Sequence, residues 1–334
     1  MLRTDSRPKH RAIMRFAAAG LVLLVCSGAA TAQAQQAGEK IVVREAVPSK
    51  AAGFWPNYVA AAEGFYAKEG LDFKLFVMDP NITVSALIGN GVEIAYADST
   101  QLLYALEKHA DLVAFGLSSD RQPYRLMAGP SIKTVAQLKG KKIGITSDID
   151  VYTYVIKEIL RAGKLDPDKD VQWVIGGNQN RRLAAIISGA IDAGLFSPPS
   201  DARLRDQGFN GLAFTPDLFP NLALSTEAAR RNWAQQHGDV LRRVLRAEAE
   251  AVRWLNDPAN KARAMQIITT ELGASPSDAE QAYQYYIGSH VWPDACIHEP
   301  GLVNVVKIMR ITHQLKSITE ADVPKFADKQ WCSH

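Results

Sequence analysis

LKGKKIGITSDIDVYTYVIKEIL, residues 138–160, decides how the rest of this chain is read. A basic, glycine-marked approach (Lys139, Gly140, Lys141, Lys142) runs into a short apolar strand, Ile143-Gly144-Ile145, which stops at Thr146-Ser147-Asp148. Val151, Val155, Ile156, Ile159 and Leu160 then recur at the spacing of one buried helical face, and Gly163 is placed to end it. The unit is strand, tight turn, helix. Any chemistry it carries lies at the turn, where the unpaired N–H groups of a helix start face outward beyond the strand's carboxyl end.

Working outward, the same unit recurs. Ile41 to Val47 reads as a strand leading to Phe54-Trp55-Pro56, where proline opens a helix through Tyr66 that ends by Gly70. Leu71 to Val77 is a second strand, followed by Asp79-Pro80-Asn81 and a helix from Thr83 to Asn90. Ile94 to Ala97 runs into Asp98-Ser99-Thr100, an N-cap for a helix to Lys108, and Leu112 to Leu117 is a further strand. Beyond the opening stretch come a strand from Val171 to Ile175, the turn Gly176-Gly177-Asn178, a helix from Gln179 to Ser188, a strand from Ile191 to Phe196 and a helix begun by Ser197-Pro198-Pro199. From Glu227 onward the pattern is helical almost throughout. Strands alternating with helices at this length predict mainly parallel sheets covered on both faces.

The chain has 334 residues, 47% hydrophobic and 22% charged, an ordinary globular composition with room for two domains. Its first 34 residues differ in kind. Five basic residues, from Arg3 to Arg15, precede an apolar run from Phe16 to Val25 and small residues through Ala34, the pattern of a secretory signal cut after Ala32 or Ala34. That leader carries five of the 38 basic and one of the 35 acidic side chains, so the remainder holds 33 and 34 and is close to neutral. A nucleic-acid footprint is therefore not expected. Cys26 leaves with the leader, and Cys296 and Cys332 reach an oxidising compartment, where a disulfide tying the C-terminal tail down is expected and two separate thiols are the alternative.

No P-loop, dinucleotide fingerprint or G-x-S-x-G elbow occurs, and His290, Cys296 and His298 match no common zinc spacing. What remains is the set of turns at strand ends. Phe54, Trp55, Asn81, Asp98, Ser99, Ser147, Asp148, Tyr152, Asn178, Arg181 and Ser197 are the candidate ligand-binding residues. Each has a local alternative: Ser99 and Asn178 as helix caps, Trp55 as a staple on its own helix, and Arg181 and Arg182 as solvated surface. Either arginine could instead meet a carboxylate or sulfonate. Acids (Asp79, Asp98, Asp148, Asp150) and bases (Arg44, Arg121, Arg181, Arg182) are mixed around the expected mouth, which suits a small organic molecule better than a bare inorganic anion.

The run Gly64-Phe65-Tyr66 to Glu69-Gly70-Leu71 with Leu87 and Glu93, then Leu138 to Gly144, then Ala185 through Ser188-Gly189-Ala190-Ile191-Asp192-Ala193 and Pro198, resembles the periplasmic substrate-binding proteins of ABC importers. Within these it is similar to the nitrate, sulfonate and taurine branch, which also holds proteins resembling the thiamine-pyrimidine synthases. The resemblance implies a two-lobed α/β periplasmic-binding-protein fold whose lobes are joined by two crossing strands. It also implies a monomer without a cofactor, a small-molecule ligand (sulfonate, taurine-like, aromatic carboxylate or pyrimidine-like) in the hinge cleft, and handover to a permease with its ATPase. The expected division is a signal peptide over 1–34, a first lobe over 40–125, a second over 126–220, and a mostly helical return to the first over 221–334. A periplasmic sensor would share this cleft. The pyrimidine synthases are cytosolic and use a lysine-bound pyridoxal phosphate and a cysteine-rich motif, whereas this chain has the pattern of a secretory leader and no cysteine between Cys26 and Cys296, so an enzyme is not expected. Hinges are expected near 120–130 and 216–225, with no apolar surface left over to join the lobes.

Overall fold

A computed structural model describes residues 40–118, 121 and 123–332. The signal-peptide reading and Cys26 fall outside the described residues. Among the described residues ten strands form two five-stranded sheets, ordered β2-β1-β3-β10-β4 and β7-β6-β8-β5-β9. The first holds β1 (Ile41–Val47), β2 (Leu71–Val77), β3 (Ile94–Asp98), β4 (Leu112–Ser118) and β10 (Ser225–Arg230); the second holds β5 (Arg125–Ala128), β6 (Lys142–Ile145), β7 (Gln172–Ile175), β8 (Ala193–Phe196) and β9 (Asn210–Phe214). β1 runs parallel to β2 and β3, and β6 to β7 and β8. The strand that enters each sheet from the other lobe, β10 or β5, lies antiparallel to both its neighbours.

The helices follow from the turns. α1 (Trp55–Ala62) and α2 (Phe65–Lys68) replace the single helix expected through Tyr66, because Gly64 adopts φ +73°, a left-handed conformation that ends one helix and begins the next. In the first half follow α3 (Pro80–Ile88), α4 (Ser99–Glu107), α5 (Val151–Ala162), α6 (Gln179–Ile187), α7 (Ser200–Asp206) and the short α8 (Thr215–Leu218). The C-terminal part adds α9 (Arg231–Gln236), α10 (Gly238–Asn256), α11 (Lys261–Leu272), α12 (Pro276–Gly288), α13 (Glu299–Ile311) and α14 (Val323–Phe326).

Three expectations are corrected. Residues 225–230 form a strand, so the helical region does not begin at Glu227: Ser-Thr-Glu-Ala-Ala-Arg has helix-forming composition, but Ser225 to Ala229 are all buried and Thr226 to Ala229 are paired on both sides, so tertiary context overrides propensity. β9, at the edge of the second sheet, has no counterpart in the sequence reading. The lobes also do share an apolar seam. Leu302, Val305, Val306 and Met309 on α13 are fully buried in one cluster with Leu102 and Leu103 of α4 and with Val155, Ile156 and Ile159 of α5.

The tail after Phe326 is anchored as well. Trp331 packs edge-on against Phe115 at 6.3 Å, Ala327 bridges to Ala114, and Cys296 is joined to Cys332.

Candidate functional site

Three helix starts meet between the two sheets. Asp98, at the end of β3, caps α4: its Oδ1 accepts hydrogen bonds from the Thr100 and Gln101 N–H groups at 2.9 and 3.1 Å. Asp150 caps α5, with Oδ1 accepting from Thr153 N at 2.6 Å and Oδ2 from Ser147 N at 3.1 Å. Asn178 caps α6 through Arg181 N at 3.1 Å. Asp98 belongs to the first lobe; Asp150 and Asn178 belong to the second. One contact closes the gap directly, the Val151 N–H of α5 donating to Thr100 Oγ1 of α4 at 3.0 Å.

The cavity among these caps has a volume of about 60 Å³. The interior as it stands therefore suits a small molecule, and a larger one requires the lobes to part. The first lobe lines it with Pro48, Ser49, Pro80, Asp98, Gln101 and Ser225. The second supplies Thr146, Ser147, Asp150 and Tyr152 from the opening stretch of the sequence reading, and Asn178, Gln179 and Arg182 from the start of α6. Tyr124, on the crossing segment, meets Tyr152 edge-to-face at 5.0 Å, and the Tyr152 hydroxyl lies 3.4 Å from Ser225 Oγ of the opposite lobe.

Arg182 is 6% exposed. Its Nη1 donates to Thr146 Oγ1 at 2.7 Å and to the Gly177 carbonyl at 2.5 Å, and Nη2 reaches the Leu195 carbonyl at 3.4 Å, so the guanidinium braces the carboxyl ends of β6, β7 and β8. Burial pulls its pKa down, against the charges of Tyr124, Asp150 and Tyr152. Asp98 is pushed up to about 7, first by burial and then by the charge of Asp150, with the capping N–H groups opposing. Burial also raises Asp150, opposed chiefly by its bonds to Thr153.

Of the candidate residues, Asp98, Ser147, Tyr152 and Asn178 line this cavity. The others whose side chains are described stand elsewhere. Trp55 is fully buried in the first-lobe core, 6.1 Å from Tyr283, and Phe54 packs on Tyr96 at 4.8 Å. Pro48 and Ser49 occupy the turn just beyond β1, and the chain has already turned inward by Phe54. Ser99 is fully buried and donates to the Ala223 carbonyl at 2.6 Å, tying α4 to the return crossing. Ser197 is buried with its N–H and hydroxyl both given to Gln179 Oε1 at 3.0 Å. Asp148 is exposed and faces away, beside Tyr154 on the outer side of α5. Arg181 is exposed, its Nη1 3.9 Å from Asp79 Oδ2 across the lobes. The Asn81 side chain lies outside the described residues.

Arg182 rather than Arg181 reaches the cavity, because residues one apart on a helix point about 100° apart. Gln179 and Arg182 share a face at a spacing of three, a signal present in the sequence. Tyr124 and Ser225 carry no such signal, since crossing segments have no periodicity. Among the described residues no group of histidine, cysteine or acidic side chains is arranged to hold a metal ion, and Cys296 is committed to its disulfide.

A Brucella abortus protein described as a binding protein is 29% identical over 206 residues, which cover 59% of this chain and 62% of that protein, so the chain spans less than two thirds of that relative's length. Among solved structures, the nitrate-binding protein NrtA of Synechocystis PCC 6803 superposes with a TM-score of 0.74 at 17% identity, covering 88% of this chain and 87% of that one. The alkanesulfonate-binding protein SsuA of Xanthomonas axonopodis pv. citri, solved with MOPS, gives 0.71 at 18% identity, covering 85% and 98%. These likenesses establish the periplasmic-binding-protein fold. The NMT1/THI5-like family model matches residues 51–261, more than half of the chain and both walls of the cavity, and the chain therefore belongs to the NMT1/THI5-like family.

Proposed function

We propose that this protein is the periplasmic solute-binding component of an ABC importer, exported by its N-terminal leader, which captures a small organic molecule between its lobes and presents it to a permease without altering it. The observation that carries this is the cavity itself, to which both lobes contribute helix starts and polar side chains, so that one molecule can be gripped from two sides. A ligand bridging the lobes favours the closed arrangement by the difference in its affinity for the two states. That difference gives a permease a shape by which to tell loaded from empty protein. Family membership and the fold support the reading; the ligand is drawn from sulfonates, taurine-like compounds, aromatic carboxylates and pyrimidines.

The test is a thermal-shift screen of those classes and of amino acids on the mature protein, followed by calorimetry and by uptake into vesicles carrying the cognate permease and ATPase. A hit should bind the wild type and lose affinity by about 1–3 kcal/mol in Tyr152→Ala, as expected when an aromatic wall is removed. A ligand bound equally well by Tyr152→Ala, or chemically converted by the protein, overturns the reading.

A further inference from the structure

The charged groups that face the cavity are few, and they are not equivalent. Asp98 stands at the start of α4, Asp150 at the start of α5 and Arg182 on α6, with the phenols of Tyr124 and Tyr152 between them. Beyond the rim, Arg181 is paired with Asp79, and Asp148 turns outward. Among formally charged side chains two carboxyls face one guanidinium, with the three helix starts adding partial positive charge.

Two of the three are already engaged. The Arg182 guanidinium is buried and given to Thr146 and to two backbone carbonyls. Asp150 is 4% exposed, and each of its oxygens accepts a backbone N–H. Asp98 differs in exposure: it is only half-buried and lines the cavity, with the Thr100 and Gln101 N–H groups on Oδ1 and the Thr100 hydroxyl also bonded to its carboxyl. Ser225 opposite it on β10 and Gln101 on α4 are uncharged, and the charge that acts on it is that of Asp150. Whenever Asp98 is ionised, an oxyanion held here would lie against a carboxylate in a partly desolvated space, where like charges repel more strongly than in water. A cation would complete the pair. Beside it, the edge-to-face Tyr124 and Tyr152 rings offer an apolar wall for a ring or short carbon frame.

We infer that the ligand of this cleft carries a protonated nitrogen, as an amine, an amidine or an amino-substituted ring, which Asp98 receives as counter-ion while the tyrosine pair packs on the body of the molecule. The inference rests on the capture reading and specifies its ligand class. A consequence follows for protons. In the empty cleft Asp98 is held near 7 by burial and by Asp150, so it is partly protonated at neutral pH. A cationic nitrogen favours the carboxylate and expels that proton, and its affinity rises as pH climbs through 7 and levels off above.

Four probes of one size separate the possibilities by calorimetry on the mature protein: benzamidine, benzamide, benzoate and benzenesulfonate. Benzamidine should bind best, gaining roughly tenfold in affinity between about pH 6 and about pH 8, the change expected of one carboxyl titrating near 7. Buffers of different ionisation heat should reveal proton release at the lower pH. Asp98→Asn keeps a good helix cap, so it should fold, lose the preference for benzamidine over benzamide and lose the pH dependence. Tighter binding of either anion than of benzamidine overturns the inference and leaves capture standing. Benzamidine binding that ignores pH and Asp98→Asn alike overturns the role of Asp98. If no probe binds, the nitrogen-bearing ligand class falls, while capture still stands or falls by the broader solute screen.

Discussion

Glu45, Glu227 and Glu248 are fully buried together in the first lobe, and among the described residues no basic side chain acts on them. Asn57 Nδ2 lies 3.2, 3.3 and 3.3 Å from their oxygens, and the Tyr66 hydroxyl donates to Glu248 at 2.8 Å. One amide, one phenol and the Leu117 backbone N–H cannot satisfy three carboxylates, so the cluster holds protons. Burial raises Glu45 and Glu248 well above the carboxylate range, with like charges adding, and lifts Glu227 to about 7. A carboxyl raised on folding stabilises fully below its unfolded value, near about 4.3, and that stability is lost as pH rises through the folded value. We therefore expect the melting temperature to fall from about pH 5 to about pH 8, despite His298, whose lowered pKa works the other way. Glu227→Gln keeps the acceptor for Asn57 and should flatten that fall; a variant with an unchanged slope counts against the protonated cluster. Trp55 makes a contrasting case at the same scale. Trp55→Ala should cost about 3–5 kcal/mol in denaturant melts, the range for deleting a buried aromatic, with ligand affinity in the folded variant near that of the wild type. A large affinity loss without destabilisation would return Trp55 to the cleft.

Among the elements, α13 and the C-terminal tail do most to hold distant parts together. α13 buries its apolar face against α4 and α5 at once, and therefore resists separation of the two helix starts that flank the cavity. Met309→Ala should destabilise by about 2–5 kcal/mol, the range for large-to-small changes in a core, and should weaken ligand binding although Met309 lies outside the cavity wall. Equal affinity would show that the seam does not bias closure. The tail is held by the Cys296–Cys332 bond across 36 residues and by Trp331 in the core. Because Trp331 remains an anchor without the bond, reduction should lower stability by about 2–4 kcal/mol rather than unfold the lobe. Melts with and without reductant measure this.

For the molecule as a whole, the lobes are joined by two crossing segments that pair through Arg121 and Leu222. They touch on both sides of that junction. Toward the cavity stand the Thr100–Val151 and Tyr152–Ser225 contacts; elsewhere α7 and β9 meet α12 through Arg203–Asp278 at 3.3 Å, Arg205–Gln281 at 3.0 Å and Phe214–Tyr285 at 5.2 Å. Consecutive residues of the extended crossing chain serve both sides: Tyr124 faces the cavity, while Arg125 stacks on Phe214 at 4.5 Å. With a shared seam as well, closure should be a modest hinge. A compact chain of about 300 residues has a radius of gyration of about 19 Å. The ligand-free protein should exceed this in solution scattering and contract when a tight ligand is added, and superimposable profiles would exclude closure.

Much of this was readable locally. The alternation of strand and helix, the turn residues at strand ends and the face of α5 follow from neighbours in the chain, and so do the caps, since Asp98, Asp150 and Asn178 bond N–H groups two or three residues away. Such contacts need no knowledge of the fold. The rest depends on partners far apart in sequence. Ser225 to Arg230 is a strand because β3 and β4 accept it on either side, against its own propensity. Trp55 turns inward because α12 brings Tyr283 to it, and Arg182 is buried because the ends of three strands surround it with oxygens. Periodicity tells which residues share a face of their own element. Which faces meet, and which carboxyls are left without a cation, is decided only when the lobes pack.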